Sequence, residues 1–201
     1  MTVSTRLSPR PSLFGGAAFE LNELDAGQLQ AFLDANPEYF LAVGDLPPRD
    51  DEAQKAFRDL PPPHLPFKGR WLIGFTDDAG RLIGMASVLS DFLVPHVWHV
   101  GLFIVATALH GSGTAAALYQ SLEDWMTAHG AAWVRLGVVL GNEKGERFWQ
   151  KMGYAEVRKR FNVPAGERMN TVLVLVKPLA GGEIGDYLQL VERDRPESTS
   201  P

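Results

Sequence analysis

Apolar and polar positions alternate along the chain in two distinct periods. Residues 17–24 (AAFELNEL) alternate weakly and predict a first strand. Asp25 then reads as an N-cap for a helix over 26–36, with Leu29, Phe32 and Leu33 on one face. Asn36-Pro37 breaks that helix, and a short one over 38–43 follows. The proline- and charge-rich stretch 45–66 holds one helical piece, 50–60, stopped by Pro61-Pro62-Pro63. Two apolar runs, 70–76 and 81–89, flank Asp77-Asp78-Ala79-Gly80 and predict a hairpin. A long strand over 97–105 precedes a glycine-containing loop at 109–114. The period then changes. Leu118, Leu122, Trp125 and Met126 fall at steps of three to four and predict a helix over 115–129, stopped by Gly130. A strand over 132–140, a helix over 142–152, and strands over 154–161 and 171–177 complete the series.

No repeat or linker divides this order. It predicts one α/β (α+β) domain over 17–178, with a mixed central sheet of six or seven strands flanked by helices. Residues 1–16 read as a flexible N-terminal arm, 179–192 as a C-terminal extension and 193–201 as a disordered tail. The extension contains an apolar piece, 184–191, with no place in the central sheet.

Composition narrows the function. With 19 Lys plus Arg against 24 Asp plus Glu, the net charge is −5, which speaks against a nucleic-acid binder. The absence of cysteine excludes disulfides, thiolate metal sites and cysteine nucleophiles. The longest apolar run, 100–109, is far shorter than the ~20 residues of a membrane helix, and the first 16 residues do not read as a signal peptide. These features predict a cytoplasmic protein with no membrane partner and no metal.

The chemistry lies where the strand over 97–105 meets the next helix. Leu109-His110-Gly111-Ser112-Gly113-Thr114-Ala115 places two glycines before a helix start, where the backbone approaches a ligand closely and unpaired N–H groups point at an anion. Read from the residues alone, the segment is compatible with a plain glycine loop. It formally fits the dinucleotide fingerprint, but five residues separate Val105 from Gly111, and Leu136 and Gly137 stand where an acidic residue should follow. No Gly-Lys-Ser/Thr is present, so it is not a P-loop.

The segment resembles the pyrophosphate loop of the GNAT superfamily of acyl-CoA N-acyltransferases, Gln/Arg-x-x-Gly-x-Gly/Ala after a strand: Gly113 and Ala115 match, with His110 at the Arg/Gln position. Downstream, Asn142 through Tyr154 (NEKGERFWQKMGY) is similar to the family's Asn-x-x-Ala-x-x-Phe-Tyr-x-x-x-Gly-Phe segment. The resemblance covers roughly residues 70–177.

It implies acetyl-CoA as co-substrate and a primary amine as acceptor, joined by direct attack. The strand bearing Phe103, Ile104 and Val105 would splay from its neighbour and pair with the pantetheine arm, one N–H polarising the thioester carbonyl. His110, Gly111, Ser112, Gly113, Thr114 and Ala115 would cradle the pyrophosphate, and Asn142 would contact the cofactor arm. Trp149 occupies the position of the family's tyrosine acid, and indole cannot supply that proton. Strand alternation puts His99, Gly101, Phe103 and Val105 on one face. His99 matches the position from which some histone-modifying members project a glutamate base, and imidazole near pKa ~6.5 can accept a proton at neutral pH. The competing reading of His99 is a hydrogen-bonded core histidine. Lys144, Arg147 and Lys151 share a helix side and read either as a 3′-phosphate site or as a solvated face. Glu38, Tyr39 and Asp91 are the candidate acceptor-binding residues, within a pocket expected from 36–39, 90–95 and the last strand. Two further alternatives are a non-catalytic acyl-CoA-binding module and, as assembly, a homodimer, since many relatives pair through sheet edges or C-terminal segments.

Overall fold

In the computed structural model, which describes residues 17–198, seven strands form one sheet in the order β1-β2-β3-β4-β5-β7-β6. They are β1 (Ala17–Glu20), β2 (Gly69–Thr76), β3 (Leu82–Ser90), β4 (Val97–Val105), β5 (Trp133–Val139), β6 (Ala155–Ala165) and β7 (Arg168–Pro178). The helices are α1 (Ala26–Asp34), α2 (Glu38–Gly44), α3 (Glu52–Arg58), α4 (Thr114–Ala128), α5 (Glu143–Lys151) and α6 (Ile184–Leu190). Every neighbouring pair is antiparallel except β4 with β5. A parallel pair needs a long crossover, and α4 supplies it. The arm expected over 1–16 and the last residues of the expected tail lie outside the described residues.

The sheet is covered on both faces. On one, Leu118, Tyr119, Leu122, Trp125 and Met126 of α4 pack against Val88, Trp98, Val100 and Leu136. Trp71 and Trp98 stack at 5.2 Å, and Trp125 meets both edge-on at 5.4 Å. On the other face, α1 and α3 close over Leu72, Met85 and Ile104. Further along that face, Tyr187 of α6 joins Val97, Trp133, Val174 and Val176.

Four local expectations change. Asp25 does not cap α1: its carboxylate turns back to the Asn22 N–H at 2.9 Å, while the Asn22 side chain accepts from Leu24 N. The two residues close a capping box around a 3-10 turn, Glu23–Asp25, placed before α1. The first strand is accordingly shorter, ending at Glu20.

The β6–β7 hairpin runs longer than its apolar core requires. Its tip docks on the end of α2, where Gly166 lies against the Gly44 backbone with no space for a Cβ. There Glu167 N donates to Gly44 O at 3.2 Å and the Asn170 side chain donates to Val43 O at 2.9 Å.

The tail expected from residue 193 is folded at its start. Glu192–Asp194 forms a 3-10 turn, and the Asp194 carboxylate is fully buried against the Arg135 guanidinium (2.6 and 3.1 Å) and the Tyr187 hydroxyl (2.6 Å). Among the described residues no helix is long and apolar enough to cross a membrane.

Candidate active site

The site begins where a pair of strands separates. β4 pairs with β5 only from Val97–Trp133 to Val100–Leu136. Beyond that point β5 stays paired to β7 through Val139, and β4 stays paired to β3 through Val105. A gap therefore opens between residues 101–105 and 137–139.

A bulge marks its apex. In the β3–β4 ladder Ser87 faces Leu102 while Val88 faces Val100, so Gly101 is the extra residue. An extra residue reverses the alternation. Trp98 and Val100 share the α4 face with Phe103 and Val105, whereas His99 shares the opposite face with Leu102 and Ile104. The expectation that His99, Phe103 and Val105 lie on one face is thus corrected: simple alternation does not survive a bulge.

The ladder also tells which backbone groups face the gap. Ala106 N donates to Ile83 O at 2.9 Å, so in this antiparallel pair the main-chain groups of Leu102 and Ile104 turn to β3 and those of Phe103 and Val105 turn away from it. Ile104, expected to offer its backbone to a ligand, has it engaged in the sheet. The Val105 carbonyl takes the His110 Nε2 at 3.0 Å, which folds this imidazole back onto the strand instead of toward an anion.

The chain next enters the helix start. Gly111 (φ 81°) and Gly113 (φ 90°) take left-handed backbone, and a Cβ on either would meet nothing within 4 Å. Conformation and open space in front of the loop, not crowding, set these glycines. Ser112 closes the turn internally, its hydroxyl on Leu109 O at 2.6 Å and beside Thr114 Oγ1 at 2.8 Å. The first bond within α4 runs from Ala117 N to Gly113 O at 3.2 Å, so the N–H groups of Thr114, Ala115 and Ala116 precede the helical ladder; of these, Thr114 N donates to Ser112 Oγ at 3.3 Å.

Across the gap, α5 supplies Asn142 and Trp149. Asn142 caps the helix, its side-chain oxygen accepting from Gly145 N at 3.2 Å. Trp149 is buried against Tyr119 (4.9 Å), Tyr154 (5.3 Å) and Phe103 (6.0 Å). The Tyr119 and Tyr154 hydroxyls bond each other inside this cluster, and burial pushes both well above the usual tyrosine range. Of the basic trio on α5, Arg147 pairs with Glu143 at 3.0 Å on the exposed side.

On the α3 side of the sheet lies a cleft of about 430 Å³. Its floor is Leu72, Ser87, Leu89, His99 and Leu102, and its walls include Tyr39, Phe40 and Glu52. The proline-rich segment contributes Leu60, Pro61, Pro62 and Leu65. His99 Nδ1 lies 3.1 Å from Arg135 O, and its ring stacks on Phe92 at 4.6 Å. Burial, reinforced by the Arg135 charge, pushes the imidazole down to about 3. It is therefore neutral, not the imidazole of ordinary pKa expected from the sequence. Burial and the Glu52 charge raise the Tyr39 phenol to about 12.

The other two acceptor candidates lie elsewhere. Glu38 is exposed and accepts the Thr107 hydroxyl, a bond that holds its carboxyl below the usual range. Asp91 does not line this cleft; it caps the β3–β4 connection by accepting His96 N at 2.7 Å. Sequence reasoning missed Glu52, Arg70 and Phe92. The apolar residues Leu60 and Leu65 within a proline-rich stretch were the available signal for this wall. Among the described residues, no group of acidic or histidine side chains is arranged to hold a metal ion.

The model of the acetyltransferase (GNAT) family matches residues 29–154. No curated protein matches the chain by sequence. Among solved structures, an acetyltransferase from Thermus thermophilus is similar, with TM-score 0.64, 19% identity, 82% of this chain and 97% of that one covered. Spermidine N-acetyltransferase from Vibrio cholerae, solved with CoA and spermine, has TM-score 0.62 and 17% identity, covering 82% and 95%. A GNAT-family acetyltransferase from Streptococcus pneumoniae has TM-score 0.58 and 16% identity, covering 81% and 98%. At such identities the likeness speaks to the fold, which is shared across nearly the whole of those chains.

Proposed function

The chain belongs to the acetyltransferase (GNAT) family, and from that premise we propose that it is an N-acetyltransferase, carrying an acetyl group from acetyl-CoA to an amine by direct attack. The observation that carries this reading is the parting of β4 from β5 after Val100, with the Phe103 and Val105 backbone turned to the gap and the chain running straight into a glycine-opened helix start.

The residues fit acetyl-CoA, which supplies an activated acyl group and a thiolate leaving group. Space stands free in front of Gly111 and Gly113, and the leading N–H groups of α4 favour a pyrophosphate there. The Phe103 main chain and the Val105 N–H offer groups that an extended pantetheine arm can pair with, as an added strand would, while the Val105 carbonyl is held by His110. Asn142 keeps its amide nitrogen available while its oxygen caps α5.

In the proposed reaction the neutral amine nitrogen bonds to the thioester carbonyl carbon and the carbon–sulfur bond breaks. The Phe103 N–H polarises the carbonyl oxygen. The amine sheds one proton to water before attack and one after it, and the departing sulfur takes a proton from solvent. Trp149 supplies none. His99 is too weak a base to hold a proton at neutral pH. In this reading the proton sits on Nδ1, toward Arg135 O at 3.1 Å, the nearer of its two contacts (Arg135 Nη1 lies at 3.4 Å); Nε2 is then an acceptor for an amine N–H in the cleft, and its part is to orient the nucleophile.

The tryptophan at the family's tyrosine position favours one competitor, a module that binds acyl-CoA without turnover. Two measurements separate them. Acetyl-CoA should raise the melting temperature, and thiol release should then depend on added amine. No thermal shift overturns both readings; a shift with no release from any amine leaves the binding module.

A further inference from the structure

The charges of the cleft restrict what it can accept. Of its four ionisable side chains besides Tyr39, two are cationic or potentially so. Arg70 directs its guanidinium to the end of α3, donating to Phe57 O at 3.0 Å and to Ala56 O. That arrangement matches its charge to a helix C-terminus. His99 is held neutral against the Arg135 carbonyl. His99 thus offers no charge, and Arg70, which has no acidic side chain within 4.0 Å among the described residues, already donates from both terminal nitrogens to α3 carbonyls.

The two acids differ from each other. Asp59 is exposed and pairs with Lys55 at 3.6 Å. Glu52 is half-buried, and among the described residues its carboxylate has no cation within 4.0 Å and no hydrogen-bond donor. Of the two acids of the cleft, Glu52 is thus the one without an ionic or hydrogen-bonded partner among the described residues. The remaining surface is apolar or aromatic: Phe40, Leu72, Leu89, Phe92 and Leu102 surround it. A second ammonium group on the acceptor would be desolvated against these side chains without a counter-charge, which is costly. About 430 Å³ is in the range of small-ligand sites, enough for a ring and a short arm.

Resting on the N-acetyltransferase reading above, we infer that the acceptor is a monoamine on an apolar, ring-sized body without a carboxylate, drawn into this cleft by Glu52. Polyamines carry more ammonium groups than the cleft has unpaired acids, and a free amino acid brings a carboxylate that has to compete with the α3 carbonyls for Arg70. Transfer onto such an amine forms the nitrogen–carbon bond and breaks the carbon–sulfur bond as described above.

The test uses the full chain saturated with CoA, titrated by calorimetry with 2-phenylethylamine, spermidine and L-phenylalanine. 2-Phenylethylamine should bind at least tenfold more tightly than either, about 1.4 kcal/mol. Glu52→Gln, an isosteric change on a partly exposed helix turn, should weaken that binding at least fivefold and leave CoA affinity unchanged. Spermidine or L-phenylalanine binding as tightly as 2-phenylethylamine overturns the inference, as does an unaffected Glu52→Gln. Thiol release is followed separately. Binding of 2-phenylethylamine with no transfer from acetyl-CoA overturns the transferase reading and leaves the cleft's preference standing. Transfer to spermidine alone overturns the preference and leaves the transferase.

Discussion

His99 and Arg135 face each other across the parallel β4–β5 pair, the imidazole Nδ1 3.1 Å from the Arg135 main-chain oxygen. The Arg135 guanidinium reaches Asp194 at 2.6 Å, keeps Nη1 3.4 Å from the same His99 Nδ1, and lies over the Phe92 ring that stacks on His99. One residue therefore joins the proposed acceptor cleft to the C-terminal segment. Nδ1 faces the carbonyl at 3.1 Å and the Arg135 Nη1 donor at 3.4 Å; the shorter contact favours a proton on Nδ1, which leaves Nε2 to accept.

His99 gives a pH signature in stability. Its folded pKa of about 3 lies below the ~6.5 of an unfolded histidine, so between these values the unfolded chain binds more protons. The stabilisation from a neutral His99 is complete above pH ~6.5 and is lost progressively as pH falls toward 3. In urea titrations the native protein should lose up to ~1.4 kcal/mol more than His99→Gln between pH 6 and pH 5. Parallel losses in the two proteins would mean that the imidazole titrates normally.

The Arg135–Asp194 pair should dominate the stability of the C-terminal segment. Asp194→Ala leaves a buried guanidinium without its partner, and such losses cost about 3–5 kcal/mol. Asp194→Asn keeps an acceptor for the Tyr187 hydroxyl and should cost less. Equal, small changes in chemical denaturation would place Asp194 at the surface.

Gly113→Ala should lower acetyl-CoA affinity at least tenfold, about 1.4 kcal/mol, while folding is retained. The φ of 90° is strained for any residue with a Cβ, and relief of that strain turns the leading N–H groups of α4. Calorimetric titration of acetyl-CoA reads the effect, and unchanged affinity removes this loop from the site.

Asn142 carries a cap and, in the proposed reading, an amide donor to the cofactor arm. Asn142→Asp preserves the cap oxygen and removes the donor, so CoA binding should weaken at a near-native melting temperature. If binding is untouched while Asn142→Ala lowers the melting temperature, the residue serves α5 alone.

Much of this protein was legible without coordinates because the information is local. Leu118, Leu122, Trp125 and Met126 specify α4 by their period, and Asp77 through Gly80 specify a turn by their own side chains and φ preferences. Gly111 and Gly113 marked the helix start for the same reason: a left-handed φ is a property of the residue that adopts it. What escaped depends on partners distant in the chain. The bulge at Gly101 exists only in register with β3, and it moves His99 to the face opposite Phe103, which no count along β4 can anticipate. Asp194 reads as a charged residue in a polar tail until Arg135, 59 residues away, gives it a buried counter-charge. The proposed acceptor cleft is likewise assembled from α2, α3, the proline-rich segment and three strands, so its unpaired carboxylate, Glu52, is a property of the packing rather than of any one segment.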